Sequence, residues 1–81
     1  MTVRYFAAAR AAAGAESEFL DVPPGATVDI VLKTVRAAHG DDLARVLDRC
    51  SFLLDEVAVR DRDVVVRDGA VVDVLPPFAG G

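Results

Sequence analysis

The rhythm of apolar and polar positions changes repeatedly along this chain. Thr2-Val3-Arg4-Tyr5-Phe6 alternates, with Val3 and Tyr5 on one face and Arg4 and Phe6 on the other, which predicts a strand. The alanine-rich run ending at Gly14 predicts a helical turn and a stop. A second strand is expected over residues 16–22, with Leu20 and Val22 turned inward and Phe19 on the opposite face. Pro23-Pro24-Gly25 must break it, because proline brings no donor to a ladder and glycine accepts the backbone angles of turns. Thr27 is then a good N-cap. Val28, Val31, Leu32, Val35 and Ala38 recur at helical spacing, and Gly40 stands where a glycine ends a helix. His39 falls in the last turn, where partial positive charge suits the helix dipole. A shorter helix is expected over residues 42–49, with Leu43, Val46, Leu47 and Cys50 on one face and Asp41 and Asp42 at its start as capping groups.

Further β-like segments follow at Ser51–Leu54, 57–59 and Val71–Leu75. Val64-Val65-Val66 reads either as a short strand or as a buried loop crossing, and Asp68-Gly69 marks a tight turn before the last strand. Strand, strand, helix and then more strands implies a hairpin, a main helix across one sheet face, and a last strand that returns to the sheet. That is the ubiquitin-like β-grasp, an α+β domain with a mixed sheet. The expected division is a domain over residues 1–75 and an extended, flexible tail over 76–81.

Composition narrows the functional classes. A chain of 81 residues makes one domain and hides only about 60% of its unfolded surface, so its 53% hydrophobic content is needed. With Cys50 as the single cysteine no intrachain disulfide can form, and the reducing cytoplasm is the expected compartment. No stretch reads as a signal peptide or approaches the ~20 apolar residues of a membrane span. A net charge of −4 argues against a nucleic-acid partner. The alternation Arg60-Asp61-Arg62-Asp63 reads as a solvated turn. Cys50 lies on an apolar helical phase and is expected to be buried and inert. His39 lacks the neighbours a metal site needs, and Lys33, the only lysine, lies mid-helix in solvent. No nucleophile–base set, phosphate loop or pair of acid–base carboxylates can be assembled, so the chain is not expected to catalyse a reaction alone.

The C-terminal sequence Pro76-Pro77-Phe78-Ala79-Gly80-Gly81 carries a different kind of chemistry. The prolines favour an extended path, and the glycines remove side chains beside the final carboxylate. Such a thread can hold the carboxylate about 15–20 Å from the fold and enter a narrow channel on another protein. A carboxylate is unreactive until it is joined to AMP as a mixed anhydride. A sulfur nucleophile can then displace the nucleotide, which splits one hard step into two easier ones.

The segment from Asp68-Gly69 through Pro76-Pro77 to Gly80-Gly81 resembles the small, sulfur-carrying subunit of molybdopterin synthase, in the ubiquitin-like MoaD/ThiS family. The opening Val3 to Arg10, Gly14, and the Pro24-Gly25-Ala26-Thr27-Val28 helix entry resemble it too. The resemblance implies that an ATP-dependent adenylating enzyme activates Gly81 and that a sulfur donor converts it to a thiocarboxylate. The tail through Pro76, Pro77, Phe78, Ala79 and Gly80 would then enter the large catalytic subunit, in a heterotetramer, and deliver sulfur to cyclic pyranopterin monophosphate for molybdenum cofactor biosynthesis. No cofactor or metal is expected on this chain itself; ATP is used by the activating partner.

Phe6 and Leu75 both fall on the non-core phase of neighbouring strands, which suggests a partner interface, and with Arg10 they match interface positions of the resembling family. The chain departs from that family at Leu54-Asp55-Glu56, where Val-Asn-Gly is common; this weakens the expectation of a hairpin there. It departs again at Phe78, where a smaller aliphatic residue is common. Sulfur carriage for cysteine or thiamine thiazole synthesis, a ubiquitin-like protein modifier, and a plain interaction domain are the competing readings.

Overall fold

The computed structural model describes residues 1–77. Phe78, Ala79, Gly80 and Gly81, and the tail chemistry expected of them, lie outside the described residues. In chain order the elements are β1 (Thr2–Tyr5), α1 (Ala7–Ala13), β2 (Ser17–Phe19), α2 (Val28–His39), α3 (Asp41–Leu47), β3 (Ser51–Leu54), β4 (Val57–Ala58) and β5 (Val71–Leu75). The alternation of β1 is obeyed: Val3 and Tyr5 are fully buried, and Arg4 between them is exposed.

The strands form one sheet in the order β2-β1-β5-β3-β4. The central pair, β1 and β5, is parallel, with Thr2 opposite Val71 and Tyr5 opposite Val74; the other pairings are antiparallel. Val3 and Tyr5, with Val72 and Val74, face α2, whose Val28, Val31, Leu32 and Val35 complete the core. This is the expected β-grasp. The start of α2 is fully accounted for: Val28 N–H donates to the Val64 carbonyl, Asp29 N–H to the Arg62 carbonyl, and Ile30 N–H to Thr27 Oγ1. Val64-Val65-Val66 is therefore a loop crossing, with a single bridge from Val65 to Thr27 and only Val66 buried.

Several local expectations are corrected. β2 covers three residues rather than 16–22, because after Leu20 the chain peels toward Pro23-Pro24; Leu20 is buried, Val22 only half so. Ala38 is exposed, and the apolar stripe of α2 ends instead on His39, four residues after Val35. The His39 ring stands edge-on to Tyr5 at 5.9 Å, and its Nε2 meets Glu18 Oε2. α3 ends at Leu47, short of Arg49, and Gly40 takes its N-cap position with no side-chain cap. Asp41 and Asp42 occupy the first turn, where carboxylates complement the dipole.

The β3–β4 hairpin forms despite the missing Asn-Gly. Leu54 pairs with Val57, leaving Asp55 and Glu56 as a two-residue turn with φ of 47° and 70°. Positive φ at both central residues is what the twist of a tight hairpin requires. Each non-glycine residue there carries strain of about 1–2 kcal/mol. Asp55 is held by its surroundings: its N–H donates to the Val71 carbonyl, its Oδ1 accepts from Val71 N–H, and its Oδ2 pairs with Arg67 at 3.2 Å. Glu56 is exposed.

On the sheet face away from α2, Arg4 and Asp73 are cross-strand partners. The guanidinium grips the carboxylate through two of its nitrogens: Nε donates to Oδ1 at 2.5 Å and Nη2 to Oδ2 at 2.7 Å. Asp73 is the only buried charged residue among the described residues, whereas the Arg4 side chain remains 45% exposed. The hydrogen bond and charge of Asp73 hold the Arg4 pKa above its usual value.

Glu56→Gly should raise stability by about 0.5–1 kcal/mol in urea unfolding, since relief of positive-φ strain outweighs the added freedom of the unfolded chain. Arg4→Met should lower the unfolding midpoint more than Asp73→Val. The first strands a buried carboxylate, whereas the second leaves an arginine that can turn to water.

Candidate functional site: the root of the C-terminal tail

The tail leaves the fold from the end of β5, a strand held on both sides by β1 and β3. Leu75 closes that strand and is half-buried, Pro76 is half-buried, and Pro77 is exposed. The prolines donate no N–H, so sheet pairing stops there for a chemical reason.

Phe6 sits at the corner between β1 and α1. Its N–H donates to the Val74 carbonyl at 3.2 Å, and its own carbonyl accepts from Ala9 and Arg10 N–H groups. The corner is sharp enough that Ala7 takes φ of 50°, a strained conformation for alanine. Phe6 and Leu75 then meet on one open groove of about 530 Å³, together with Ala7, Ser51, Arg49 and the two prolines. Arg4 on the same face lies over the Phe6 ring at 5.9 Å, so the Arg4–Asp73 pair borders this groove. The expected pairing of Phe6 and Leu75 is thus observed. Arg10 does not line the groove: its Nε donates to the Tyr5 carbonyl at 3.4 Å, and Nη1 lies 3.6 Å from Glu16.

A second hollow of about 500 Å³ lies on the other side of the proline stem, between Ala8 of α1 and Arg45, Val46 and Asp48 at the end of α3. Arg49 lines both hollows, so its single cation lies beside the stem. Arg49 was not singled out by sequence, because nothing in its local pattern places it beside a strand so distant in the chain. Asp73 did carry a signal: a carboxylate within Val71-Val72-Asp73-Val74-Leu75 demands a partner, and Arg4 holds the matching phase on β1.

The remaining chemical groups stay outside this site. Cys50 is half-buried, its Sγ donates to the Val46 carbonyl at 3.1 Å, and burial pushes its thiol pKa up, which disfavours the thiolate. The Tyr5 phenol is raised too, chiefly by burial and then by the neighbouring Glu18 carboxylate, and stays neutral. Lys33 pairs with Asp29 at 3.1 Å on the solvent side of α2. Among the described residues no group of three or more His, Cys, Asp or Glu could hold a metal ion, and no helix is long and apolar enough to cross a membrane.

Known proteins share this sequence and shape over nearly its whole length. The chain is 35% identical over 80 residues to a molybdopterin synthase sulfur carrier subunit of Chlamydomonas reinhardtii, covering 98% of this chain and 95% of that one. A putative molybdopterin converting factor subunit 1 from Pyrococcus furiosus superposes with a TM-score of 0.85 at 27% identity, covering 95% of each chain. SAMP1 from Haloferax volcanii superposes with a TM-score of 0.87 at 26% identity, covering 99% of this chain and 97% of that one. The sequence model of the ThiS family matches residues 3–81, from the first strand through the Gly-Gly end, and the chain belongs to that family.

Proposed function

We propose that this chain is the sulfur carrier subunit of a molybdopterin synthase, working in the cytoplasm, with the carboxylate of Gly81 as its working group. The observation that carries the reading is a strand clamped from both sides, whose proline stem emerges at an apolar groove and leads to Gly80-Gly81. The near-full-length likeness to a sulfur carrier subunit supports the same reading.

The steps follow from acyl chemistry. A Gly81 carboxylate oxygen attacks the α-phosphorus of ATP on an adenylating enzyme, and pyrophosphate leaves. A sulfide-level nucleophile, hydrosulfide, then attacks the acyl carbon: the C–S bond forms, the bond from carbon to the phosphate oxygen breaks, AMP departs with the bonding electrons, and loss of the proton leaves a thiocarboxylate. The thread next enters the large subunit, which supplies the catalytic side chains, and sulfur passes to the pterin precursor. This chain contributes reach, a rigid root and a docking surface; it binds no cofactor itself.

The groove fits a partner that inserts an apolar side chain against Phe6 and Leu75. Arg49 and the Arg4–Asp73 pair provide a polar border. Such a centre with a charged rim is how protein interfaces concentrate their affinity.

Incubation with the adenylating enzyme, ATP and a sulfur donor should yield a chain heavier by the difference between sulfur and oxygen, read by intact mass. A chain lacking Gly81 should not gain sulfur or support pterin conversion; full conversion by the truncated chain would refute the proposal. Phe6→Ser and Leu75→Ser should each weaken binding to the large subunit by about 10–30-fold in titration calorimetry, with the far-ultraviolet circular dichroism unchanged.

A further inference from the structure

We propose that free copies of this chain associate head to tail: the exposed Phe19 of one copy seats in the groove between Phe6 and Leu75 of the next, and Asp21 beside the ring meets Arg49 beside the groove. The contact uses the folded surface alone and is independent of whether Gly81 carries sulfur.

Phe19 is the last residue of β2, the strand at one edge of the sheet. Its register partner is Thr2, so its ring projects from the open face rather than toward α2. At 74% exposure it is the most exposed large hydrophobic side chain among the described residues. It does not stand alone. Val22, Pro23 and Val65 border the same shallow hollow of about 570 Å³, and Val65 is itself 56% exposed. Single apolar side chains on a surface are ordinary, but a contiguous patch marks a place of association.

The tail-root groove is the matching concavity. It is open, about 530 Å³ in volume, and offers Phe6 as an aromatic wall and Leu75 as an aliphatic one. A phenyl ring entering it can meet Phe6 in the edge or offset geometry that aromatic pairs favour. Charge supplies the direction. Asp21 borders the hollow beside Phe19, and Arg49 lines the groove. Both are exposed, and among the described residues neither has an ion-pair partner.

The two surfaces cannot satisfy each other within one molecule. Phe19 lies opposite Thr2, at the start of β1, whereas Phe6 follows the end of that strand. A contact between unlike patches at opposite ends is heterologous, so it extends from copy to copy instead of closing on a two-fold axis. Symmetric contacts are opposed by charge. Two β2 edges brought together would crowd the carboxylates of Glu16, Glu18 and Asp21, and two facing grooves would set Arg49 against its own copy. The seat is also the groove proposed for the large subunit, so self-association and that docking exclude one another.

Sedimentation velocity on the full chain should show the average mass rising between about 0.05 and 1 mM, the range of a small contact, and rising less at high salt. Phe19→Ser removes the inserted ring, and Leu75→Ser spoils its seat; each should weaken association at least about tenfold. Mixed in equal amounts, these two variants should form a two-chain species and nothing larger, because one intact ring and one intact groove remain. Phe6→Ser, a second change to the seat, should pair with Leu75-intact, Phe19-intact chains only through their grooves and not their rings. Asp21→Arg and Arg49→Asp alter exposed positions away from the core. Each should weaken association about 3–10-fold, and the double variant should regain it. A chain that stays monomeric at about 1 mM would overturn the proposal. So would association retained by Phe19→Ser or Leu75→Ser alone, a mixture of the two that stays monomeric, or a double charge variant that fails to recover.

Discussion

The parallel pairing of β1 with β5 is the constraint on which the rest of this molecule depends. It joins the first strand to the last, so everything between them serves as the connection that a parallel pair requires. Val3, Tyr5, Val72 and Val74 are buried through that pairing, and they form the floor on which α2 packs. The same register sets Arg4 opposite Asp73 and carries Phe6 to the end of Leu75. A slip of β5 by one residue would turn Val72 and Val74 to solvent and put Asp73 into the core, away from Arg4.

The sheet thus has two faces with different duties. The face under α2 is closed and apolar. The other holds its ion pair at the centre, and the apolar groove lies at the end where the tail begins. Burying Asp73 is unfavourable unless its acceptors are met, and the two-nitrogen grip of Arg4 meets them while leaving the guanidinium partly in water. A centre built this way discourages unspecific association of an open sheet and still leaves an apolar edge for one partner.

Strain among the described non-glycine residues is local and sits where the chain must change direction. Ala7 turns β1 into α1 beside the groove, and Asp55 with Glu56 turns β3 into β4. In the hairpin, hydrogen bonds from Asp55 to Val71 tie the strained turn to the start of β5, the strand that leads to the tail. The root of the tail is consequently rigid, while the reactive group proposed for it lies several residues further on. Two groups within the fold that could have competed for chemistry are kept quiet: burial disfavours the Cys50 thiolate, and the Met1 α-amine donates to the Leu20 carbonyl in a buried position.

Much of this is legible in the sequence alone, because it depends on local chemistry. Alternation determined which face of β1 is buried, Thr27 and the spacing of Val28, Val31, Leu32 and Val35 determined α2, and Pro76-Pro77 determined where pairing stops. The pairing of Phe6 with Leu75 was also readable, since phase and the neighbouring of first and last strands suffice. Other features required the assembled fold. The β3–β4 turn could not be foreseen, because Asp55 tolerates positive φ only through bonds to Val71 and Arg67, both remote in sequence. His39 closes the α2 stripe because Tyr5 and Glu18 meet it across the sheet edge, and Arg49 flanks the tail only because α3 ends there. Local sequence sets what each segment prefers; which distant groups satisfy one another is decided when the first and last strands pair.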